Sequence, residues 1–240
     1  MKLTMKKKQQ PFISAVIVAA GSSSRMGEGV NKQLLMIGDM PVVAKSIRAF
    51  EQNELVREIV VVTRGENIMD IAAMAREFGF NKVREVVSGG ETRQESVAKG
   101  ITCTSKEAEY YLIHDGARPL VSQHTINAVI ADAMEYGAAT AGVPVKDTIK
   151  RVDAKSMVIQ TPDRSVLYIT QTPQMFRAEP YRQALRQAEQ KGLSFTDDCQ
   201  LFEQAGHPVA MSAGDYTNIK ITTPEDMLFA QILVTAAVDN

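Results

Sequence analysis

Three stretches of this sequence gather the residue types that handle phosphate. Ala19-Ala20-Gly21-Ser22-Ser23-Ser24-Arg25-Met26-Gly27 leads small residues into a cation, and Asn31-Lys32-Gln33 adds a second cation shortly after. Small side chains let backbone N–H groups approach a polyphosphate closely, while a guanidinium and an ammonium neutralise its oxygens. The stretch is not a P-loop, because no Gly-Lys-Ser/Thr follows and Lys32 stands outside the glycine run; Gly-x-Gly-x-x-Gly is absent too. In Ser88-Gly89-Gly90-Glu91-Thr92-Arg93-Gln94-Glu95-Ser96-Val97, Glu91 or Thr92 can cap a helix. The double glycine also leaves backbone donors and acceptors bare for a nucleobase edge, and Ser96 can add a hydrogen bond. His114-Asp115-Gly116-Ala117-Arg118-Pro119 offers one carboxylate able to hold a Mg²⁺ that also binds phosphates. Arg118 either pairs with Asp115 across the turn or clamps a phosphate bidentately. His114 reads as structural ahead of catalytic.

Further cations and hydroxyls follow. Lys146-Asp147-Thr148-Ile149-Lys150-Arg151 and Thr161-Pro162-Asp163-Arg164 precede Gln171-Thr172-Pro173-Gln174, and each alone reads as a solvated hairpin face. Near the end, Thr223, Pro224 and Asp226 fit a helix N-cap, first helical position and first-turn acid. Capping leaves Lys220 unexplained. No Ser/His/Asp triad, Cys-x-x-Cys, His-Glu-x-x-His or pair of catalytic carboxylates is present. Arg, Lys, Gly and one Asp around a crevice suit phosphoryl or nucleotidyl transfer, which needs positioning and charge neutralisation more than a protein nucleophile.

The elements that must position these groups alternate along the chain. Strands are expected at Phe12–Ala19, Glu58–Val62, Lys82–Val87, Tyr110–Ile113, Ala138–Val143 and Pro208–Met211. Helical periodicity fits Val42–Glu51, Ile68–Phe78, Arg93–Thr102, Ile126–Tyr136, Pro180–Lys191, Asp197–Ala205 and Pro224–Val238. Such alternation with nearly continuous apolar strands indicates an α/β chain: a parallel sheet with helices on both faces. The phosphate-handling stretches follow the first, third and fourth strands, so in a parallel sheet they converge on one edge, where ligands bind. Lys146–Ile169 breaks the rhythm and reads as a β-excursion from a single domain spanning 11–240. The 27 Lys+Arg against 28 Asp+Glu among 240 residues leave a net charge of −1, without the basic excess of a nucleic-acid binder. The two cysteines, Cys103 and Cys199, lie far apart, which suits a reducing, cytoplasmic setting. Met1–Gln10 reads as a loose Lys-rich tail ahead of a buried strand rather than a secretory signal, and no later run is long and apolar enough to span a bilayer.

AAGxxxRMG with a nearby NKQ, GGxxRQxSV, HDGARP, VKDTIKR, TPDRS, QTPQMF and NIKITTPED occur in this order over almost the whole chain. The set resembles the 2-C-methyl-D-erythritol 4-phosphate cytidylyltransferase family of the non-mevalonate isoprenoid pathway. The resemblance implies a Rossmann-like nucleotidyltransferase sheet with a protruding β-arm, at about 146–169, that forms a homodimer. It implies CMP transfer from CTP to methylerythritol 4-phosphate, with Mg²⁺ and release of pyrophosphate. By motif, Ala19, Ala20, Gly21, Gly89, Gly90, Glu91 and Ser96 would hold the cytidine, and Arg25 and Lys32 the triphosphate and the charge building on its α-phosphate. Asp115 and Gly116 would sit at the ribose–metal side, with Asp115 the metal ligand. Arg118, Thr148, Arg164, Thr172 and Lys220 would surround the sugar phosphate, Lys220 counted with Arg25 and Lys32 as catalytic and Thr148 reaching a neighbour's site. Ser23 replaces the family's second loop glycine, Asn31 stands where Pro is common, and Gly116 where Ala is frequent. Ribitol 5-phosphate cytidylyltransferase, or a catalytically silent nucleotide-binding module, are the alternatives.

Overall fold

Ile-Ser-Ala-Val-Ile-Val carries a side chain for each face of a sheet and no charge, and the structure makes it the central strand β1 (Ile13–Val18). Ile13, Ala15 and Ile17 point into one core and Val16 into another, on opposite faces, as a period-2 strand covered on both sides requires. The computed structural model describes residues 10–21, 24–26 and 31–238. The expected tail, but for Gln10, and Ser22, Ser23 and Gly27 of the first loop lie outside the described residues.

After β1 come a small antiparallel pair, β2 (Met36–Ile37) and β3 (Met40–Pro41), then α1 (Val42–Glu51), β4 (Val56–Thr63), α2 (Ile68–Glu77), β5 (Val83–Ser88), α3 (Arg93–Thr102), β6 (Tyr110–Asp115), α4 (Gln123–Tyr136) and β7 (Ala138–Pro144). An outlying hairpin follows, β8 (Arg151–Val152) and β9 (Val158–Gln160). The chain closes with β10 (Tyr168–Arg177), α5 (Ala178–Gln190), α6 (Asp198–Gln204), β11 (Ala210–Ala213) and α7 (Pro224–Val238). The main sheet has the order β11-β7-β10-β6-β1-β4-β5. α1, α2 and α4 bury Ile47, Phe50, Ile71, Ile126 and Val129 against one face; α3, α5 and α6 bury Val97, Ile101, Tyr181, Leu201 and Phe202 against the other. α7 packs Ala230 with Ile37, Val42 and Ile221 in a third cluster.

β10 was not among the expected strands. It runs antiparallel to both β6 and β7, the one reversed member of an otherwise parallel sheet. Its middle, Gln171-Thr172-Pro173-Gln174, is polar and carries a proline, a pattern that argues against a central strand. The structure tolerates it because the polar side chains are hydrogen-bonded: Gln171 to the Asp215 carbonyl, Gln174 to Asp197 and Thr172 to the Asp115 amide. β11 lies two residues later than the expected Pro208–Met211, and α4 begins one turn earlier, capped by Ser122. Residues 145–167 leave from the end of β7 and return at the start of β10, where Tyr168 pairs with Pro144, so the excursion springs from the same sheet edge as the Asp115 end of β6. Its Met157, Val158, Ile159 and Val166 are 53–75% exposed.

Candidate active site

The C-terminal ends of β1, β5 and β6 meet at a cleft of about 420 Å³. Its wall is built by close backbone approach. The Ala19 amide donates to the Val62 carbonyl at 2.7 Å and the Gly89 amide to the Thr63 carbonyl at 2.7 Å, extending the sheet past its strands. A Cβ on Gly89 would meet the Ala20 Cβ at 2.6 Å and the Ser96 Oγ at 2.7 Å, so glycine is what lets these loops touch. The Ser96 hydroxyl accepts from the Gly90 amide (3.1 Å) and donates to the Thr92 carbonyl (2.9 Å), which shapes the double-glycine turn. Thr92 is the N-cap of α3 and forms a capping box with Glu95, whose carboxylate also accepts from the Glu91 amide at 2.8 Å. Lys99, one turn further on, donates to the Gly89 carbonyl at 2.9 Å.

Asp115 is the electrostatic hub. Its carboxylate lies 2.8 Å from the Lys220 ammonium, 3.4 Å from Arg93 Nε and 3.8 Å from Arg118 Nε. Burial alone would push this carboxyl up; the Arg93, Lys220 and Arg118 charges outweigh it and hold the group well below the usual carboxylate range. The loop carrying it is tied down from below. Thr172 Oγ1 accepts from the Asp115 amide at 3.0 Å; the Arg118 carbonyl facing His114 Nε2 can only accept, so in the neutral ring Nδ1 is the acceptor and takes the Thr172 proton across 3.0 Å. His114 is then the neutral Nε2–H tautomer, donating to the Arg118 carbonyl at 3.1 Å. Burial drives its pKa down to about 4, against the pull of Asp115. The Asn218–Lys220 segment is bolted to the same loop: Arg118 Nη1 donates to the Asn218 carbonyl (2.7 Å), and the Ile221 amide to the Ala117 carbonyl (2.8 Å). That docking puts Lys220 on Asp115.

Lys32 heads a short 3-10 turn, Lys32–Leu34, capped by Asn31, whose Oδ1 accepts from the Gln33 amide at 3.2 Å. Its ammonium is buried, which lowers its pKa, and repulsion from Lys220 and Arg25 lowers it further. Three cations from three separate elements therefore face one crevice. A polyanion in that crevice would relieve the repulsion.

Of the expected site residues, Ala20, Gly21, Arg25, Lys32, Gly90, Glu91, Ser96, Asp115 and Lys220 line the cleft. Ala19, Gly89 and Gly116 form the layer behind it; the Gly116 amide donates to Val18 and its carbonyl accepts from the Ser46 hydroxyl. Arg118 lies beside Asp115 with its side chain 11% exposed, and Thr172 is 4% exposed, its hydroxyl turned to His114 and the Asp115 amide. Thr148 and Arg164 sit on the excursion, exposed and outside the cleft lining, with Arg164 Nη1 donating to the Lys146 carbonyl at 2.8 Å. Sequence reasoning passed over Gln33, Thr222 and Arg93, which also line the cleft, and Asp198 behind Arg93. Arg93 looked like a helix-start residue, and only its partner across the fold reveals more.

Among the described residues no three His, Cys, Asp or Glu side chains cluster as a metal cage. Asp115 and Glu91 are the carboxylates on the cleft wall. That donor set fits Mg²⁺, which binds through one or two carboxylates together with substrate phosphates and keeps several waters.

Residues 13–236 match the family model described as IspD: 2-C-methyl-D-erythritol 4-phosphate cytidylyltransferase. The chain is 47% identical over 223 residues to the protein of that name from Caldanaerobacter subterraneus subsp. tengcongensis, covering 92% of this chain and 98% of that one. The Pelotomaculum thermopropionicum protein of the same name is 44% identical over 225 residues, covering 93% and 94%. Among solved structures, 4-diphosphocytidyl-2C-methyl-D-erythritol synthase from Anaerococcus prevotii superposes with a TM-score of 0.84 at 30% identity, covering 94% of this chain and 99% of that one.

Proposed function

The chain belongs to the 2-C-methyl-D-erythritol 4-phosphate cytidylyltransferase family, and from that membership we infer that it transfers the CMP unit of CTP to 2-C-methyl-D-erythritol 4-phosphate, releasing pyrophosphate. The observation that carries this reading at the level of the site is the convergence of Arg25, Lys32 and Lys220 on one rim beside Asp115. A phosphate oxygen of the sugar phosphate attacks the α-phosphorus of CTP, and the bond from that phosphorus to the bridging oxygen breaks as pyrophosphate leaves. The nucleophile arrives ionised, so no protein base is required. The work left to the protein is to align two anions and to neutralise the charge that builds on the equatorial oxygens.

We assign the cytosine to Gly90 and the Ala20–Gly21 backbone, which line the cleft, with Gly89 shaping the turn behind them because its amide and carbonyl are already taken by Thr63 and Lys99. Arg25 and Lys32 bind the triphosphate, and Lys220 beside them on the same rim meets the sugar phosphate. Asp115 would hold Mg²⁺, whose charge adds to theirs at the triphosphate. Arg118 supports this wall, while Thr148 and Arg164 approach the sugar phosphate from a partner subunit's arm. A homodimer through the arm suits its exposed Met157, Val158, Ile159 and Val166, an apolar surface that association would cover. The net charge of −1 suits small anionic substrates better than a nucleic acid. No helix among the described residues is long and apolar enough to cross a membrane. Cys103 and Cys199 are unpaired, which suits the reducing cytoplasm where we place the enzyme.

The deciding experiment incubates the protein with CTP, Mg²⁺ and either methylerythritol 4-phosphate or ribitol 5-phosphate, and follows products by phosphorus NMR with a coupled pyrophosphate assay. CDP-methylerythritol and pyrophosphate in equal amounts are expected. Turnover of ribitol 5-phosphate alone, or of neither sugar phosphate, overturns the assignment.

A further inference from the structure

Behind the cleft wall lies a buried carboxylate for which the mechanism above has no role. Asp198 is 2% exposed, and both its oxygens are taken: Oδ1 accepts from the Tyr181 hydroxyl at 2.5 Å, and Oδ2 from Arg93 Nη1. Helix capping does not account for it, because Asp197 is the N-cap of α6. Arg93 is equally out of place as a helix residue. It is the first residue of α3, where the helix dipole disfavours a cation. Its guanidinium is held there by two acids on different nitrogens, Asp198 at Nη1 and Asp115 at Nε. A planar guanidinium gripped at one end has a fixed direction at the other. The segment carrying Asp198 is anchored as well: Gln94 donates to the Leu193 carbonyl and accepts from the Phe195 amide, and Asp197 accepts from Gln174 at 2.7 Å.

We propose that Asp198, held by Tyr181, is a positioning residue for nucleotidyl transfer: it fixes the Arg93 guanidinium, which in turn fixes the Asp115 carboxylate at the cleft. This rests on the reading of the cleft given above. Asp198 touches no substrate, and its effect passes wholly through Arg93. Burial opposes the charge on Arg93, but Asp198 and Asp115 together raise its pKa, so the strut stays charged throughout the working pH range.

The test uses the full chain and four variants, Asp198→Asn, Tyr181→Phe, Arg93→Ala and Asp198→Asn with Arg93→Ala. Three quantities are measured: kcat and KM for both substrates, the melting temperature, and the side-chain Nε–H resonance of Arg93, assigned by its loss in Arg93→Ala. Asp198→Asn is expected to lower kcat roughly tenfold or more, as for a small misplacement of a reacting group. KM for CTP should change less than about twofold, and the Arg93 Nε–H signal should shift or broaden. Tyr181→Phe keeps the buried ring and should shift the same signal with a smaller loss of kcat, about threefold. In the Arg93→Ala background, Asp198→Asn should cost no further kcat. An equal loss in that background would show that Asp198 acts by another route. Lower melting temperatures with kcat and the Arg93 signal unchanged would make the pair a packing feature. If the parent enzyme forms no CDP-methylerythritol, the function falls; if it does and the variants match it, only the strut falls.

Discussion

Thr172 is where the family resemblance and the structure make different demands, and Thr172→Val separates them. The resemblance places its hydroxyl among the sugar-phosphate contacts. In the fold that hydroxyl is enclosed and makes two hydrogen bonds of 3.0 Å, one from the Asp115 amide and one to His114 Nδ1. Valine matches the shape and strands both buried partners. Each orphaned buried group costs on the order of 1–3 kcal/mol, so the pair should cost about 3 kcal/mol. For a chain of this length that corresponds to a melting temperature lower by roughly 6–12 °C. Thr172→Ser, which restores the hydroxyl, should recover most of the loss. In the kinetics, kcat should fall several-fold because the Asp115 loop loses its tether, while KM for the sugar phosphate should stay within about twofold. Guanidinium denaturation and steady-state assays with both substrates measure these effects. Unchanged stability together with a tenfold rise in KM for the sugar phosphate would refute the reasoning, since the hydroxyl would then face substrate and not the loop.

Lys32→Ala or Arg25→Ala should lower kcat by roughly 10²–10³, the loss typical of a preorganised charge contact, with a smaller effect on CTP affinity; turnover within about threefold of the parent would remove the assigned role. Arg164→Ala should raise KM for methylerythritol 4-phosphate and leave that for CTP nearly unchanged, and a matched rise in both would show that it does not bind the sugar phosphate. His114 titrates at about 4 in the fold against an ordinary 6.5, so the unfolded chain takes up the proton first as the solution is acidified. The stability it contributes is complete above pH 6.5 and is lost as pH falls toward 4, about 3 kcal/mol in all. Asp115, held below the ordinary carboxylate range, loses its share only under still more acidic conditions. Denaturant titrations at several pH values should therefore show a slope in this window that His114→Gln abolishes; an unchanged slope would place its origin elsewhere.

Much of this architecture could be read from local pattern. β1, β4 and β6 are each built round an apolar run, and α1, α3 and α7 match their expected spans residue for residue. The convergence of Arg25, Lys32 and Asp115 followed from strand direction alone. β10 escaped because its stability comes from partners distant in sequence: Thr172 and Gln174 look like loop residues until Asp115 and Asp197 are placed beside them. Asp198 escaped for the same reason. A charged residue at a helix start has an ordinary local explanation, and only the fold brings it against Arg93 and Tyr181. The arm strands β8 and β9 were legible as an excursion, although their edges blur where Tyr168 already pairs with Pro144.

The lone reversed strand has a consequence for how such a protein can vary. In a wholly one-way sheet, a segment leaving the far rim must travel back across the molecule before the next strand begins, so its length is constrained by the helix that carries it. Here the chain departs along β7 and re-enters along β10 at a single rim. The appendage between them is a handle hinged at that rim: its length can change without moving the register of β7 against β10.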